Sequence, residues 1–134
     1  MEKRVLIDTN ILIDYSEGVK YATKFFNEAK IKYYQIFILE DVYAEAKTKA
    51  GAISKIKVLI EELIKCDIFN RVKITDEEKR YSEDLGYRCV EVLGYDLDRT
   101  DKRLIAIARK RNFVIFSADK DLIKIAKIEK IKVI

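Results

Sequence analysis

Three short runs of nearly unbroken apolar character, Arg4 to Ile7, Gln35 to Leu39 and Phe113 to Phe116, constrain this chain more than any other feature. None shows the alternation of a strand with one wet face, so each is expected to be buried on both sides. Lys132 to Ile134 reads as a fourth strand and Val72 to Ile74 as a weaker candidate. Between these runs the periodicity becomes helical. Ile56, Leu59, Ile60, Leu63 and Ile64 share one stripe, Tyr81, Leu85 and Cys89 repeat it within Glu77 to Val92, and Leu104, Ile105 and Ala108 form the next. Buried strands alternating with amphipathic helices predict an α/β fold, a central, mainly parallel sheet flanked by helices and wound through right-handed crossovers.

The 134 residues suit a single domain spanning 1–134, since no linker or internal repeat divides them. Hydrophobic residues make up 49% and charged residues 37%, the mark of a globular chain with a densely charged surface. A formal net charge of +4 permits an anionic partner without naming one. Cys66 and Cys89 have no CxxC spacing, and the chain has no histidine to complete a zinc site, so both are expected to be packed thiols in a reducing compartment. Asp8 ends the first apolar run too soon for a signal peptide, and no later run is long enough to span a membrane. A cytoplasmic protein is expected.

Open parallel sheets bind ligands beyond the carboxyl ends of their strands. Asp8 follows the first strand directly, Glu40, Asp41 and Glu45 follow the second, and Ser117, Asp119 and Asp121 follow the Phe113 to Phe116 run. Asp101 falls in the first turn of a helix that feeds this last strand. Acids from distant parts of the sequence are thus expected at one sheet edge, where they repel unless something neutralises them. A hard divalent cation with oxygen ligands is the usual agent.

Each acid also has a structural explanation. Asp8, Asp98 and Asp119 could cap the helices that follow them. Taken together the acids favour the functional reading, because a cap does not require its carboxylate to follow a buried strand. Within the second group, Glu45 shares the edge of Asp41 if Val42 and Ala46 face the sheet. The absence of histidine excludes Ser-His-Asp and Cys-His nucleophiles, and there is no GxSxG elbow, P-loop or GxGxxG. A phospho-aspartate enzyme would want a second Asp where Asn10 stands. Acid and metal chemistry remains.

The order "IDTN", "VYAEA", "DKRLIAIA" and "FSADKDL" resembles the PIN-domain ribonucleases, especially the small VapC-type toxins of prokaryotic toxin-antitoxin pairs. The likeness covers nearly the whole chain. It implies a metal-dependent endoribonuclease in which Asp8, Glu45, Asp101 and Asp119 hold Mg²⁺ or Mn²⁺ and carry catalysis, with Asp121 as a fifth candidate acid. Thr9, Asn10 and Ser117 are then placed to orient the carboxylates or a phosphate. The resemblance further implies an RNA substrate, a cognate antitoxin protein and a homodimer, for which the apolar face at Ile60 and Ile64 is a candidate. An alternative keeps the fold as a non-catalytic or processing RNA-binding module in ribosome or RNA maturation.

RNA beside an acidic pocket needs cations at the rim. Arg99, Lys102, Arg103, Lys120 and Lys124 lie near the acids in sequence, and Tyr15 could stack on a base. The denser run Arg109, Lys110 and Arg111 sits at a helix carboxyl terminus, where cations complement the dipole, and is read as structural.

Overall fold

The computed structural model describes residues 3–49, 58, 62, 65 and 69–134. Four strands form one sheet in the order β3-β2-β1-β4: β1 is Arg4–Ile7, β2 Gln35–Leu39, β3 Phe69–Val72 and β4 Val114–Phe116. Every pairing is parallel. Val5 of β1 lies between Ile36 of β2 and Val114 of β4, which makes β1 a central strand. Val5, Leu6 and Ile7 are at most 1% exposed, as their unbroken apolar run requires of a strand covered on both faces.

Six helices stand among the described residues: α1 (Thr9–Ser16), α2 (Lys20–Ile31), α3 (Glu40–Lys49), α4 (Asp76–Leu93), α5 (Arg99–Arg111) and α6 (Lys120–Ile128). Their starts follow from local chemistry. Thr75 and Glu78 form a reciprocal capping box at α4, and Asp8, Asp98 and Asp119 each accept backbone N–H bonds at the starts of α1, α5 and α6. Asn112 ends α5 in the left-handed conformation with φ 57°, which asparagine tolerates better than most residues. β2 passes into α3 with no residue between them.

Two expected strands differ from what is found. Lys132 to Ile134 contributes only a parallel bridge from Val133 to Ile115, reached through a tight turn at Lys130, φ 60°. The weaker candidate at Val72 to Ile74 is displaced towards the amino terminus. The strand is Phe69–Val72, whose Asn70 and Arg71 give it none of the apolar continuity of the inner strands. The stripe from Ile56 to Ile64 and the thiol of Cys66 lie outside the described residues, whereas Cys89 is a buried free thiol on α4.

Charge clamps tie the outer helices together. Arg111 at the end of α5 grips the buried Glu78 of α4 through two bonds of 2.7 Å, and Lys110 reaches Glu77 at 3.2 Å. Arg88 of α4 meets the buried Glu129, just beyond α6, at 2.6 Å. The basic run at the end of α5 thus supplies two structural pairs, as its position on the helix dipole suggested.

Candidate functional site

Residues from four elements converge at the carboxyl end of the sheet. Asp8 directly follows β1 and is only 4% exposed. Its Oδ1 accepts the Ile11 N–H at 3.1 Å, and its Oδ2 accepts the hydroxyl of Ser117, the residue after β4. The Ser117 Oγ in turn accepts the backbone N–H of Asp119 at 3.0 Å. One serine therefore joins the ends of two adjacent strands, accepting a hydrogen bond from the Asp119 N–H and donating one to Asp8. The bond from Asp119 is the ordinary turn bond of a serine two residues ahead, and the hydroxyl's own hydrogen is left for Asp8.

Asp119 caps α6 with both bonds on one oxygen, Oδ1, which takes the N–H groups of Asp121 and Leu122 at 2.9 and 3.2 Å. Asp98 likewise spends Oδ1 on the Asp101 N–H at 2.9 Å. A cap therefore occupies one carboxylate oxygen and leaves the other for a second use. The capping and functional readings of these acids are compatible.

A cavity of about 60 Å³ is lined by Asp8, Thr9, Asn10, Glu45, Asp98, Asp101 and Asp119. The acids named from the sequence at positions 8, 45, 101 and 119 thus share one polar recess, with Thr9 buried and Asn10 exposed beside them. Asp121 does not line it; its backbone serves the Asp119 cap instead. Asp98, which the sequence reading assigned only to a cap, does line it. The signal was available, because residues three apart on a helix start share a face and Asp101 was already aimed at this edge.

Electrostatics bear out the crowding. The Asp101 carboxyl is pushed up to about 7, first by burial and then by the charges of Asp98, Asp119, Asp8 and Glu45. Burial also raises the Asp8 carboxyl, against the lowering pull of the Ser117 and Ile11 hydrogen bonds. Among the described residues no three of these acids already stand in the spacing of a finished cation cage. By donor chemistry they fit a hard divalent ion, since carboxylate oxygens dominate the lining and mutual repulsion is what such an ion relieves.

The neighbours of Glu45 and Asp41 separate those two acids. Val42 is fully buried, which turns Glu45 towards the recess, while Asp41 is paired with Arg103 at 2.5 Å. A larger cavity of about 550 Å³, lined by Glu40, Asp41, Glu45, Arg99, Thr100 and Arg103 among others, adjoins the acidic one through Glu45. Of the expected rim cations, Lys102 is committed to Asp96 at 2.8 Å and Arg103 to Asp41, whereas Arg99, Lys120 and Lys124 are exposed. Tyr15 is not presented for base stacking. Its ring is stacked on Phe26 at 4.2 Å, because the apolar face of α2 covers it.

No protein-family model and no curated protein sequence matches the chain. Solved structures do. A chain in the crystal structure of VapBC2 from Rickettsia felis bound to a DNA fragment from their promoter shares the fold at TM-score 0.74 and 16% identity, with 98% of this chain and 97% of that chain covered. A toxin-antitoxin complex from Klebsiella pneumoniae gives 0.67 at 22% identity over 87% of this chain and 88% of that one. A PilT N-terminus domain protein from Sulfolobus solfataricus P2 gives 0.50 at 14% identity over 98% and 85%. What is shared at these identities is the fold, which is PIN-like.

Proposed function

We propose, from this PIN-like fold and the acids gathered at its sheet edge, that the protein is an endoribonuclease dependent on Mg²⁺ or Mn²⁺ and the toxin of a toxin-antitoxin pair. The observation that carries the reading is the shared recess of Asp8, Glu45, Asp101 and Asp119, with Asp101 pushed up to about 7. These four are assigned to the cation, and Asp98 lies close enough to support them.

A bound divalent ion would polarise the scissile phosphodiester, lower the pKa of a bound water and offset the charge of the leaving oxygen. The chain's own side chains hold everything else in place. Ser117 fixes the Asp8 carboxylate, and the Asp119 N–H fixes Ser117, so the residues after β1 and β4 are tied together. Asn10, exposed at the mouth, is placed to donate to a phosphate oxygen. The adjoining cavity, with Arg99 on its wall, offers space for the nucleotide next to the cleaved bond. The toxin role and a cognate antitoxin rest on the likeness to a chain of the Klebsiella toxin-antitoxin complex and to a chain of VapBC2, and a homodimer rests only on the sequence resemblance.

The test is cleavage of a labelled RNA by purified protein with Mn²⁺, with EDTA, and with an Asp101→Asn variant. Metal-dependent cleavage lost in the variant supports the reading. Metal-independent binding of the same RNA with no cleavage in any condition would assign the protein to RNA binding instead.

A further inference from the structure

The opposite end of the sheet carries the reverse charge. A cavity of about 250 Å³ lies at the amino ends of β1 and β4, lined by Lys3, Arg4, Arg109, Lys130 and Lys132 together with Asn112 and Phe113 among others, and no acid lines it. None of these five cations forms an ion pair with a carboxylate among the described residues. Their convergence follows from topology. Lys3 and Arg4 enter β1, Arg109 closes α5, and Lys130 and Lys132 flank the turn that brings the last residues beside β4.

Helix dipoles explain only part of this charge. The carboxyl ends of α5 and α6 both face this region, and each is worth roughly half a negative charge, about one in total. Five cations answer that single charge, with Glu28 near Lys3, which leaves a positive excess that attracts an anion. Part of the cluster is also held in advance. Arg4 donates from Nη2 to the Arg111 carbonyl at 3.0 Å, and its guanidinium lies 4.9 Å above the Phe113 ring. Lys3 is set over the Tyr34 ring at 5.4 Å.

We propose that this basic recess is a phosphate-binding site that holds backbone phosphates of a nucleic-acid strand, on the end of the molecule remote from the acidic recess. Phosphate suits it better than an acidic peptide. Phe113 and Ile131 are at most 7% exposed, so neither large apolar side chain offers a seat for a peptide's side chains, and two guanidinium groups, Arg4 and Arg109, match phosphate oxygens. A free oligophosphate offers the same chemistry and is the second source to be distinguished.

The experiment is fluorescence anisotropy of a labelled oligouridylate with the full chain in EDTA, so that binding is read without cleavage. Lys130→Gln with Lys132→Gln should weaken binding about tenfold and reduce the slope of log affinity against log salt by about 1.4, the value for two lost contacts on a single strand. Lys20→Gln with Lys24→Gln, which lowers the net charge equally on α2, should change affinity less than about twofold. Competition by pyrophosphate that disappears in the first variant but persists in the second also supports the site, and calorimetric binding of pyrophosphate that the first variant loses, with no oligouridylate binding in the parent, would identify the free oligophosphate as the source. Equal weakening by both pairs would reduce the effect to net charge and overturn the proposal, as would displacement by oligoglutamate as strong as that by pyrophosphate. Failure of these binding tests leaves RNA cleavage at the other end untouched, and the reverse holds.

Discussion

Asp101 behaves as two residues, depending on its proton. Its carboxyl is raised from the ordinary 3.8 to about 7, so between those values the folded chain holds a proton that the unfolded chain has released. The stability this confers is complete below the unfolded pKa and is lost as pH rises through 7. In EDTA the urea midpoint should fall between pH 5 and pH 8, and Asp101→Asn should flatten that fall and leave the variant more stable than the parent at pH 8. A variant weaker than the parent at pH 8 would show that the carboxylate is stabilised by partners other than its acidic neighbours. Asp98→Ala loses a cap worth about 1 kcal/mol, yet it also removes a like charge beside Asp101. Its cost should therefore be larger at pH 5 than at pH 8, and the proposed cleavage should survive. At Ser117 a single hydroxyl serves both Asp8 and Asp119. Ser117→Ala should lower stability by about 1–2 kcal/mol in urea melts and slow cleavage about ten- to hundredfold.

At the scale of one helix, α3 decides which acid faces the recess. Asp41→Asn would leave Arg103, 15% exposed at its side chain, without the carboxylate that meets it. Breaking such a pair costs on the order of 3 kcal/mol when fully buried and less at this exposure. The expectation is a stability loss with most cleavage retained, whereas Glu45→Gln should abolish cleavage at nearly parental stability. Urea midpoints and initial rates on one RNA separate the two, and the reverse ranking would place Asp41 at the chemistry. The sequence made the inner strands legible because burial on both faces erases alternation and leaves an unmistakable run, as in Val5 to Ile7. It concealed β3, whose Asn70 and Arg71 sit on an edge strand where apolar residues are not demanded. It also concealed the pairing of Tyr15 with Phe26 and of Arg103 with Asp41, because contacts between residues distant in sequence leave no periodic trace. The acids were readable for the opposite reason. Each follows an element whose end is marked locally, so topology alone carries them to one edge, whereas Asp98 was masked by its adequate explanation as a cap.

For the molecule as a whole, the acidic recess stores repulsion that a divalent ion should release as stability. At a free-ion concentration about a hundredfold above its dissociation constant, Mn²⁺ should add about 2.7 kcal/mol if it binds only the folded chain. A thermal melt that rises with Mn²⁺ in the parent and not in Asp8→Asn would agree; a flat response in both would remove the cation from the proposed mechanism. The four residues of β1 span only about 13 Å, and they separate Lys3 and Arg4 at one end from Asp8 at the other. The two recesses accordingly set opposite charges at the two ends of the central strand. In dilute buffer without divalent ions, two copies meet most favourably nose to tail, a contact that leaves both outer ends free and so does not close. Light scattering should register open-ended chains of molecules that fall apart as salt is added.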